Sequence, residues 1–264
     1  NGPQIGNIIL HEEAINTEKT PTMPVDVAGA MSQGQIGYWL QNALRNQLEQ
    51  LKIKKPIASI ITQVLVSKDD PAFKNPSKPI GPFYTEEEAK KLAKARGFTV
   101  KEDAGRGWRK VVPSPMPLSI IESDLIKIAI GNGAVIVAGG GGGIPVCYDQ
   151  HGRLTGLEAV IDKDFAAEKL AETIDADILL ILTAVDNVKI NYKQPDEKAL
   201  TELTVDDAFK LIAQGQFAAG SMLPKVEAGV SFVSGANKRV CIITSPEKAS
   251  KAIEGKAGTR IIAN

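Results

Sequence analysis

Residues 134–148 read AVIVAGGGGGIPVCY, and this stretch decides the predicted fold. Its first five residues are small and β-branched, which is typical of a strand buried on both faces of a parallel sheet. Five glycines follow at once, so backbone N–H groups can converge on an anion at close range. Because the glycines are enclosed between a buried strand and Ile144-Pro145, we favour an anion-binding loop over a flexible loop without chemistry.

Two common glycine motifs do not fit this chain. The dinucleotide-binding fingerprint needs a helix directly after its glycines, whereas residues 145–148 lead into a second extended run. A P-loop fails as well, because Gly255-Lys256 is followed by Ala257 and lacks the upstream glycine.

Apolar, β-branched runs alternate with helical patterns along the rest of the chain. Leu40, Leu44, Leu48 and Leu51 share one helix face, for example. This alternation predicts an α/β fold, a three-layer αβα sandwich around a mainly parallel sheet. The predicted strands are 57–66, 134–138, 178–183, 240–244 and 260–262, and the predicted helices are 32–51, 85–96, 164–173, 204–214, 224–233 and 246–254.

Two segments depart from this alternation. Residues 69–117 contain seven prolines and one helical stretch, 85–96, whose first turn is acidic. We interpret 69–117 as a protruding lid subdomain with hinges at its two junctions. Residues 146–161 carry the turn signal Asp149-Gln150-His151-Gly152 and predict a β-hairpin.

Composition excludes several classes of protein. The 31 basic and 31 acidic residues give a net charge of zero, without the basic excess of a nucleic-acid-binding protein. With only His11 and His151, a histidine zinc site or a Ser-His-Asp triad is disfavoured, and we predict no metal-ligating protein residues. No apolar run of about 18 residues and no signal peptide is found. We therefore expect a soluble, cytoplasmic protein that does not bind membranes.

Charged and polar residues next to the ends of predicted elements are candidates for an anion site. Asp162-Lys163-Asp164 follows a short extended run, and its carboxylates would keep a lysine charged and oriented; a solvated charge cluster is the alternative. Lys225 falls in the first turn of a predicted helix, where the helix dipole disfavours a cation. It would therefore hold an anion together with backbone N–H groups, unless it is an ordinary surface lysine.

Two further stretches are weaker candidates. Residues 1–6 place a Gly-Pro turn before a helix that is predicted to begin at Gly6, which would form an anion site; a plain terminal loop is equally compatible. Residues 183–188 end a predicted strand with a polar tip, where open α/β sheets bind ligands, and Tyr192 and Pro195 are placed to flank a flat ring. An ordinary loop is the alternative.

Taken together, these segments resemble the carbamate kinases, a family of the amino acid kinase superfamily. The resemblance covers the whole chain, including the lid-like segment that distinguishes this family from its sister kinases. The matching stretches are NGPQ (1–4), GAMSQG (29–34), NPSKPIG (75–81), DAGRGWR (103–109), VPSP (112–115), GGGIP (141–145), AVIDKD (159–164), INYK (190–193), AGSM (219–222) with Pro224-Lys225, and GTRII (258–262).

The resemblance implies reversible phosphoryl transfer between ATP and carbamate. In the reverse direction, the reaction converts ADP and carbamoyl phosphate into ATP, ammonia and bicarbonate. The resemblance places this reaction in fermentative arginine catabolism, in the arginine deiminase pathway. It also implies Mg²⁺ with the nucleotide, a homodimer and two lobes. Residues 1–155 would form the carbamate and carbamoyl-phosphate lobe, including the lid at 69–117. Residues 156–264 would form the nucleotide lobe.

The resemblance also implies roles for individual residues. The implied catalytic residues are Lys163, Lys225 and Asp164, with both lysines on the transferring phosphoryl group and the nucleotide phosphates. The implied substrate-binding residues are Asn1, Gly2, Gly140, Gly141, Gly142 and Lys78, with Lys78 expected at the tip of the lid. The implied nucleotide-binding residues are Asp162, Asp186, Ser221, Met222 and Tyr192.

Two features depart from the family pattern. Family members carry, before the Asn-Gly-Pro loop, a first βα unit with another glycine loop and a phosphate-binding lysine. A chain of only these 264 residues would thus be expected to aggregate and to be inactive. Leu223 stands where many members have glycine. The alternatives are a sister kinase acting on acetylglutamate or UMP, and a noncatalytic ligand sensor of the same fold.

Overall fold

The structure, a computed structural model, describes residues 1–19, 21–103, 105–236 and 238–264. Ala104, within the DAGRGWR motif, lies outside the described residues. The chain divides into two compact units, unit 1 at Asn1–Ala166 and unit 2 at Ala167–Asn264.

Unit 1 combines helices with short strands, and its last helix, α5, continues into unit 2. Its helices are α1 (Gly2–Ala14), α2 (Val25–Gln50), α3 (Glu86–Arg96), α4 (Ser123–Gly131) and α5 (Lys163–Thr173), with 3₁₀ turns at Pro71–Phe73 and Gly140–Gly142. Its strands are β1 (Ile57–Ser59), β2 (Gln63–Leu65), β3 (Lys78–Tyr84), β4 (Thr99–Glu102), β5 (Trp108–Val112), β6 (Ser119–Ile120), β7 (Val135–Val137), β8 (Ile144–Tyr148) and β9 (Leu154–Gly156).

The strand predicted at 57–66 is divided in two, so that prediction was wrong in its extent. β1 pairs in parallel with β7, whereas β2 pairs in parallel with β8 in a different sheet. Between them Thr62 donates its N–H to the Gln33 side chain and accepts from the Ile144 N–H. A side chain from α2 thus interrupts the strand, a contact that the apolar pattern does not contain.

The helix predicted at 32–51 begins seven residues earlier, at Val25, and its leucine face is not the buried face. Leu40 and Leu44 are exposed, whereas Ala28 and Gly37 are buried. A Cβ built on Gly37 would lie 2.1 Å from the Ser59 Oγ, so α2 packs on β1 through its smallest residues. The leucine spacing therefore indicated the helix correctly and its orientation wrongly.

The predicted lid contains a three-stranded antiparallel sheet in the order β3-β5-β4, together with α3. The helix prediction at 85–96 is confirmed. Thr85 and Glu88 form a complete capping box at the start of α3, which ends at Gly97 in the left-handed conformation.

The hairpin predicted after the glycines is confirmed as β8 and β9, which pair antiparallel. The Asp149 carboxylate accepts the N–H groups of His151 and Arg153 and so closes the turn.

Unit 2 is built around a four-stranded sheet in the order β10-β14-β15-β13, with β10 and β14 parallel. All residues of β14 from Cys241 to Thr244 are buried, and both α7 and α8 contact the strand. The elements are β10 (Ile178–Leu182), β11 (Lys189–Ile190), β12 (Lys198–Ala199), β13 (Glu202–Thr204), α6 (Val205–Ala213), α7 (Met222–Ser234), β14 (Val240–Thr244), α8 (Ala249–Ile253) and β15 (Thr259–Ile262), with a 3₁₀ turn at Pro246–Lys248.

The α/β class predicted from the alternation of strands and helices is confirmed. The strand predicted at 240–244 matches β14, and α6 begins after Thr204, whose hydroxyl accepts the Asp207 N–H as its capping spacing predicts. Two helix starts differ: α7 begins two residues before Pro224, and the segment at 246–254 begins as a 3₁₀ turn.

At Gly229, α7 packs closely against the sheet of unit 2. A Cβ built there would lie 2.6 Å from Ile261 Cδ1 and 2.9 Å from the Cys241 Sγ. We expect Gly229→Ala to lower the free energy of unfolding by about 1–3 kcal/mol, because the added methyl overpacks the core. Urea denaturation followed by circular dichroism measures this. The matched control is Gly34→Ala in α2, which meets no atom within 4 Å; equal stability of the two variants would contradict the packing.

Candidate active site

Unit 1 contains a cavity of about 400 Å³ at the start of α1. Five predicted substrate or catalytic residues line it: Asn1, Gly2, Lys78, Gly141 and Lys163. The cavity therefore combines two ammonium groups, a side-chain amide and backbone of the glycine loop, which are the groups that bind an oxyanion.

The first residues of the chain form the start of α1 and not a separate turn. The Ile5 N–H donates to the Asn1 carbonyl at 2.9 Å, and the helix already includes Gly2 and Pro3. The predicted Gly-Pro turn with a helix from Gly6 was therefore wrong, because proline is tolerated in a first helical turn, where its missing N–H leaves no hydrogen bond unmade. The Asn1 Nδ2 donates to the Ser32 Oγ at 2.6 Å, which fixes the amide beside the cavity.

The glycine loop can be built only from glycine at its tightest point. Gly142 has a φ of 107°, and a Cβ there would lie 2.2 Å from the Ile161 carbonyl oxygen. A Cβ on Gly141, whose φ is 72°, would lie 2.8 Å from the Asn1 Cβ. The Gly139 N–H donates to the Thr62 hydroxyl at 2.9 Å, which fixes the entry of the loop. The loop therefore packs against Asn1 and the segment that leads to Asp162.

Asp162 connects the lid to the start of α5. One carboxylate oxygen accepts the Asp164 N–H at 2.9 Å, and the other lies 2.6 Å from the Lys78 Nζ. Burial by itself raises the pKa of Asp162, but the hydrogen bond from Lys78, the Asp164 N–H and the charges of Lys78 and Lys163 together lower it below its ordinary value. The carboxylate is therefore held in its charged form.

Lys163 and Asp164 open α5. Asp164 is buried, whereas the Lys163 side chain is 64% exposed, and its Nζ lies 3.4 Å from the Asp164 carboxylate. This contact is long, so it orients the lysine only loosely and leaves its ammonium accessible from the cavity.

Lys78 lies at the base of the lid. It is the first residue of β3 and pairs with Val112, near both ends of the inserted segment, whereas Tyr84 and Trp108 lie at the other end of the same strand pair. The expectation that Lys78 occupies the tip was wrong, because the strand register decides which end of the lid carries it.

Unit 2 contains a larger cavity, of about 640 Å³, beside the end of β10. Tyr192, Ser221 and Met222 line it, as do backbone and side chains of residues 183–185 and 215–218. Its volume lies within the range of small-molecule binding sites, and its lining combines an aromatic ring and a thioether with polar groups.

Asp186 does not line this cavity. Its carboxylate accepts the Ser245 hydroxyl at 2.7 Å and lies 2.6 Å from the Lys248 Nζ. The hydrogen bonds from Lys248 and Ser245 hold the pKa of Asp186 below its ordinary value.

Lys225 lies in the first turn of α7, as predicted, and it is buried, with 8% of its surface exposed. Burial removes the ordinary surface lysine as an alternative.

Two positioning side chains, both glutamines, were not identified from the sequence. Gln33 uses both ends of its amide on Thr62, at 2.8 and 3.2 Å. Gln216 exchanges two hydrogen bonds with Asn191, next to Tyr192. Glutamine in a helix or a loop gives no signal of such a role, since the partners are distant in sequence.

In the described part of the chain, no group of three or more His, Cys, Asp or Glu side chains is arranged to hold a metal ion. None of the described helices has both the length and the apolar character needed to cross a bilayer.

Comparison with known proteins identifies the class to which this fold and these cavities belong. The model of the amino acid kinase family matches residues 11–244. The chain therefore belongs to the amino acid kinase family.

Carbamate kinases are among the proteins similar to this chain, which confirms the resemblance seen in the motifs. Carbamate kinase 2 of Enterococcus faecalis is 54% identical over 261 residues, covering 99% of this chain and 83% of the relative. Carbamate kinase of Clostridium perfringens is 54% identical over 264 residues, covering 99% and 84%. The solved carbamate kinase from Giardia lamblia bound to AMP-PNP is 46% identical with a TM-score of 0.91, covering 100% of this chain and 83% of that one.

The Lys78–Asp162 pair provides a test of the geometry in unit 1. Asp162→Asn keeps an oxygen that can cap α5 but removes the charge opposite Lys78. We expect it to lower the free energy of unfolding near pH 7 by about 1.5–3 kcal/mol, the range for a hydrogen bond to a charged group.

The stabilising contribution of the Asp162 carboxylate depends on pH. Because the pKa of Asp162 is lower in the folded chain, its contribution is present above the unfolded pKa and is lost as the pH falls through the folded value. Urea denaturation at several pH values should therefore show that the free energies of unfolding of the wild type and Asp162→Asn become equal in acid. A difference that is independent of pH would contradict the ion pair.

Proposed function

We propose that the protein is a carbamate kinase that transfers a phosphoryl group reversibly between ATP and carbamate. The observation that carries this proposal is the cationic cavity of unit 1, where Lys78 and Lys163 adjoin the glycine loop at Gly141. Phosphoryl transfer needs positioning and positive charge and little covalent chemistry. These groups can supply both the positioning and the positive charge. The similarity to carbamate kinases indicates that carbamate is the acceptor of the phosphoryl group.

The carbamoyl group would bind in the cavity of unit 1. Asn1 can donate its amide, Gly2 and the loop at Gly140–Gly142 can present backbone groups, and Lys78 adds charge. Because Asp162 holds Lys78 at 2.6 Å, the ammonium is oriented before the substrate arrives. The predicted carbamoyl lobe, residues 1–155 with the lid at 69–117, includes all of these groups.

The transferring phosphoryl group would be stabilised by lysines. Lys163 contributes an accessible ammonium at the start of α5, which the Asp164 carboxylate beside it orients only loosely. Lys225 contributes a buried ammonium in the first turn of α7, where the helix N–H groups also face an anion. Cations preorganised at developing charge stabilise a transition state most strongly where water is excluded.

The nucleotide would bind in unit 2, within the predicted lobe at 156–264. Tyr192 and Met222 offer a flat and a polarisable surface to a purine, and Ser221 offers a hydroxyl. Asp186 and Asp162 were also assigned to the nucleotide. Asp186 would then act by orienting Lys248, and Asp162 would act by orienting Lys78. The Giardia lamblia relative was solved with the nucleotide analogue AMP-PNP.

Further features of the proposal rest on family membership. Mg²⁺ would arrive with ATP or ADP as part of the substrate, held by the phosphates. A homodimer, a cytoplasmic location, a place in arginine catabolism and the absence of nucleic-acid or membrane partners stay predictions.

The direct test is ATP formation from carbamoyl phosphate and MgADP, followed with a coupled enzyme assay. Acetylglutamate and UMP are supplied with MgATP in parallel as alternative acceptors. Turnover with carbamoyl phosphate alone supports the proposal. Turnover with either alternative acceptor supports a sister kinase, and binding without turnover supports a noncatalytic sensor.

We expect Lys225→Ala and Lys163→Ala each to lower turnover more than about a hundredfold, because a preorganised cation contributes several kcal/mol to the transition state. The matched control is Lys256→Ala, whose side chain is 70% exposed and paired with Glu254. That exposed substitution should change stability by no more than about 0.5 kcal/mol and leave turnover intact. Near-normal turnover in both site variants would refute their assignment.

The lid gives a second kinetic prediction. Replacing residues 69–117 by a short linker removes Lys78 but no lining residue of the unit 2 cavity. We expect the KM for carbamoyl phosphate to rise severalfold or more while the KM for ADP stays nearly constant. Parallel loss of both affinities, with the circular dichroism spectrum as a check on folding, would show that the lid is structural.

A further inference from the structure

Arg109 is held by three hydrogen bonds within the lid. Its Nε and Nη2 donate to the Gly81 carbonyl at 3.1 and 2.9 Å, and its Nη1 donates to the Asp103 carboxylate at 3.0 Å. The guanidinium also stacks on the Phe83 ring, with its Cζ 4.9 Å from the ring centre. A flexible side chain is thereby confined to one orientation.

The acceptor for Arg109 exists because β3 is irregular at Gly81. The strand register shifts between Ile80 and Tyr84, and Gly81 has a φ of 71°, a conformation that favours glycine. A Cβ built on Gly6 of α1 would lie 3.6 Å from the Gly81 Cα, so the irregular segment is packed against α1. The same helix carries Asn1 and Gly2 at its start.

Arg109 lines the cavity of unit 1 together with Lys78 and Lys163. Of its five N–H groups, three are used as described above. The remaining two, one on each terminal nitrogen, have no acceptor among the residues that the structure describes. Its side chain is 19% exposed, so an anion in the cavity would meet it partly desolvated.

The chemistry of a guanidinium differs from that of the two lysines. Two parallel N–H groups in one plane match two oxygens of a planar carboxylate-like group, whereas an ammonium acts as a point charge. Carbamate is a planar oxyanion of this kind, and carbamoyl phosphate retains its carbonyl oxygen.

We propose that Arg109 is a substrate-binding residue that recognises the planar carbamoyl end of the substrate. The inference rests on the proposed function, since it takes carbamate and carbamoyl phosphate as ligands of the unit 1 cavity. It assigns Lys78 and Lys163 to charge and Arg109 to orientation of the carbamoyl plane. Asp103 is then a positioning residue, because it acts only through the guanidinium.

The chain supplies a matched control in Arg106. This residue also contacts Asp103, at 2.8 Å, and also stacks on Phe83, at 5.2 Å. It does not line the cavity, and its side chain is 62% exposed. Arg106→Ala and Arg109→Ala thus remove the same charge from the same segment and differ in their access to the substrate.

The experiment compares the wild type, Arg109→Ala, Arg109→Lys and Arg106→Ala in ATP formation from carbamoyl phosphate and MgADP. Arg109→Ala should raise the KM for carbamoyl phosphate roughly 10- to 100-fold, the range for a lost hydrogen bond to a charged group. The KM for ADP should change less than about twofold, as should both constants in Arg106→Ala. Arg109→Lys should recover part of the loss, since it restores charge without the paired N–H groups.

A second readout needs no turnover. Carbamoyl phosphate without nucleotide should raise the melting temperature of the wild type and of Arg106→Ala, and it should not raise that of Arg109→Ala. Equal effects of the two alanine variants on KM, or equal protection of all proteins, would overturn the role of Arg109. A wild type that is protected by carbamoyl phosphate but forms no ATP would overturn the proposed function and leave Arg109 to be judged by the protection alone.

Discussion

The carboxylate of Asp162 is the contact on which the arrangement of unit 1 depends. It caps α5 through the Asp164 N–H and binds Lys78 at the base of the lid with its other oxygen. The carbonyl of Ile161, one residue earlier, lies where any side chain at Gly142 would have to go. Two consecutive residues, Ile161 and Asp162, thus contact the start of α5, the lid and the glycine loop. Breaking the Lys78–Asp162 pair would leave a partly buried charge without its partner.

The cavity of unit 1 depends on close backbone packing. Small residues allow the approach: Gly37 sets α2 on β1, and Gly141 sets the loop against Asn1. One hydrogen bond from Gln33 to the Thr62 carbonyl and one from the Thr62 N–H to Gln33 then hold together the two chain segments on which the loop rests. Because these polar side chains have their hydrogen bonds satisfied within the protein, the cavity is shaped before any ligand binds, as electrostatic catalysis requires.

Local signals in the sequence were sufficient for much of the fold. The turn at 149–152, the buried strand at 240–244 and the helix at 85–96 each depend on residues close in sequence, and each appears as predicted. The exposed leucine face of α2, the interrupted strand at 57–66 and the position of Lys78 depend on partners far away in sequence. Hydrophobic periodicity indicates that a helix or strand is present, but tertiary packing determines which face of the element is buried.

The same distinction applies to the site. Motifs located the glycine loop and the lysines, whereas the pairing of Lys78 with Asp162 emerged only from the structure. The most direct test of that pairing is a double-mutant cycle of Lys78→Met and Asp162→Asn, measured on kcat/KM for carbamoyl phosphate. If Asp162 acts on the substrate through Lys78, the double variant will lose no more than Lys78→Met alone. Losses that multiply would show that the two residues act independently and would contradict the account.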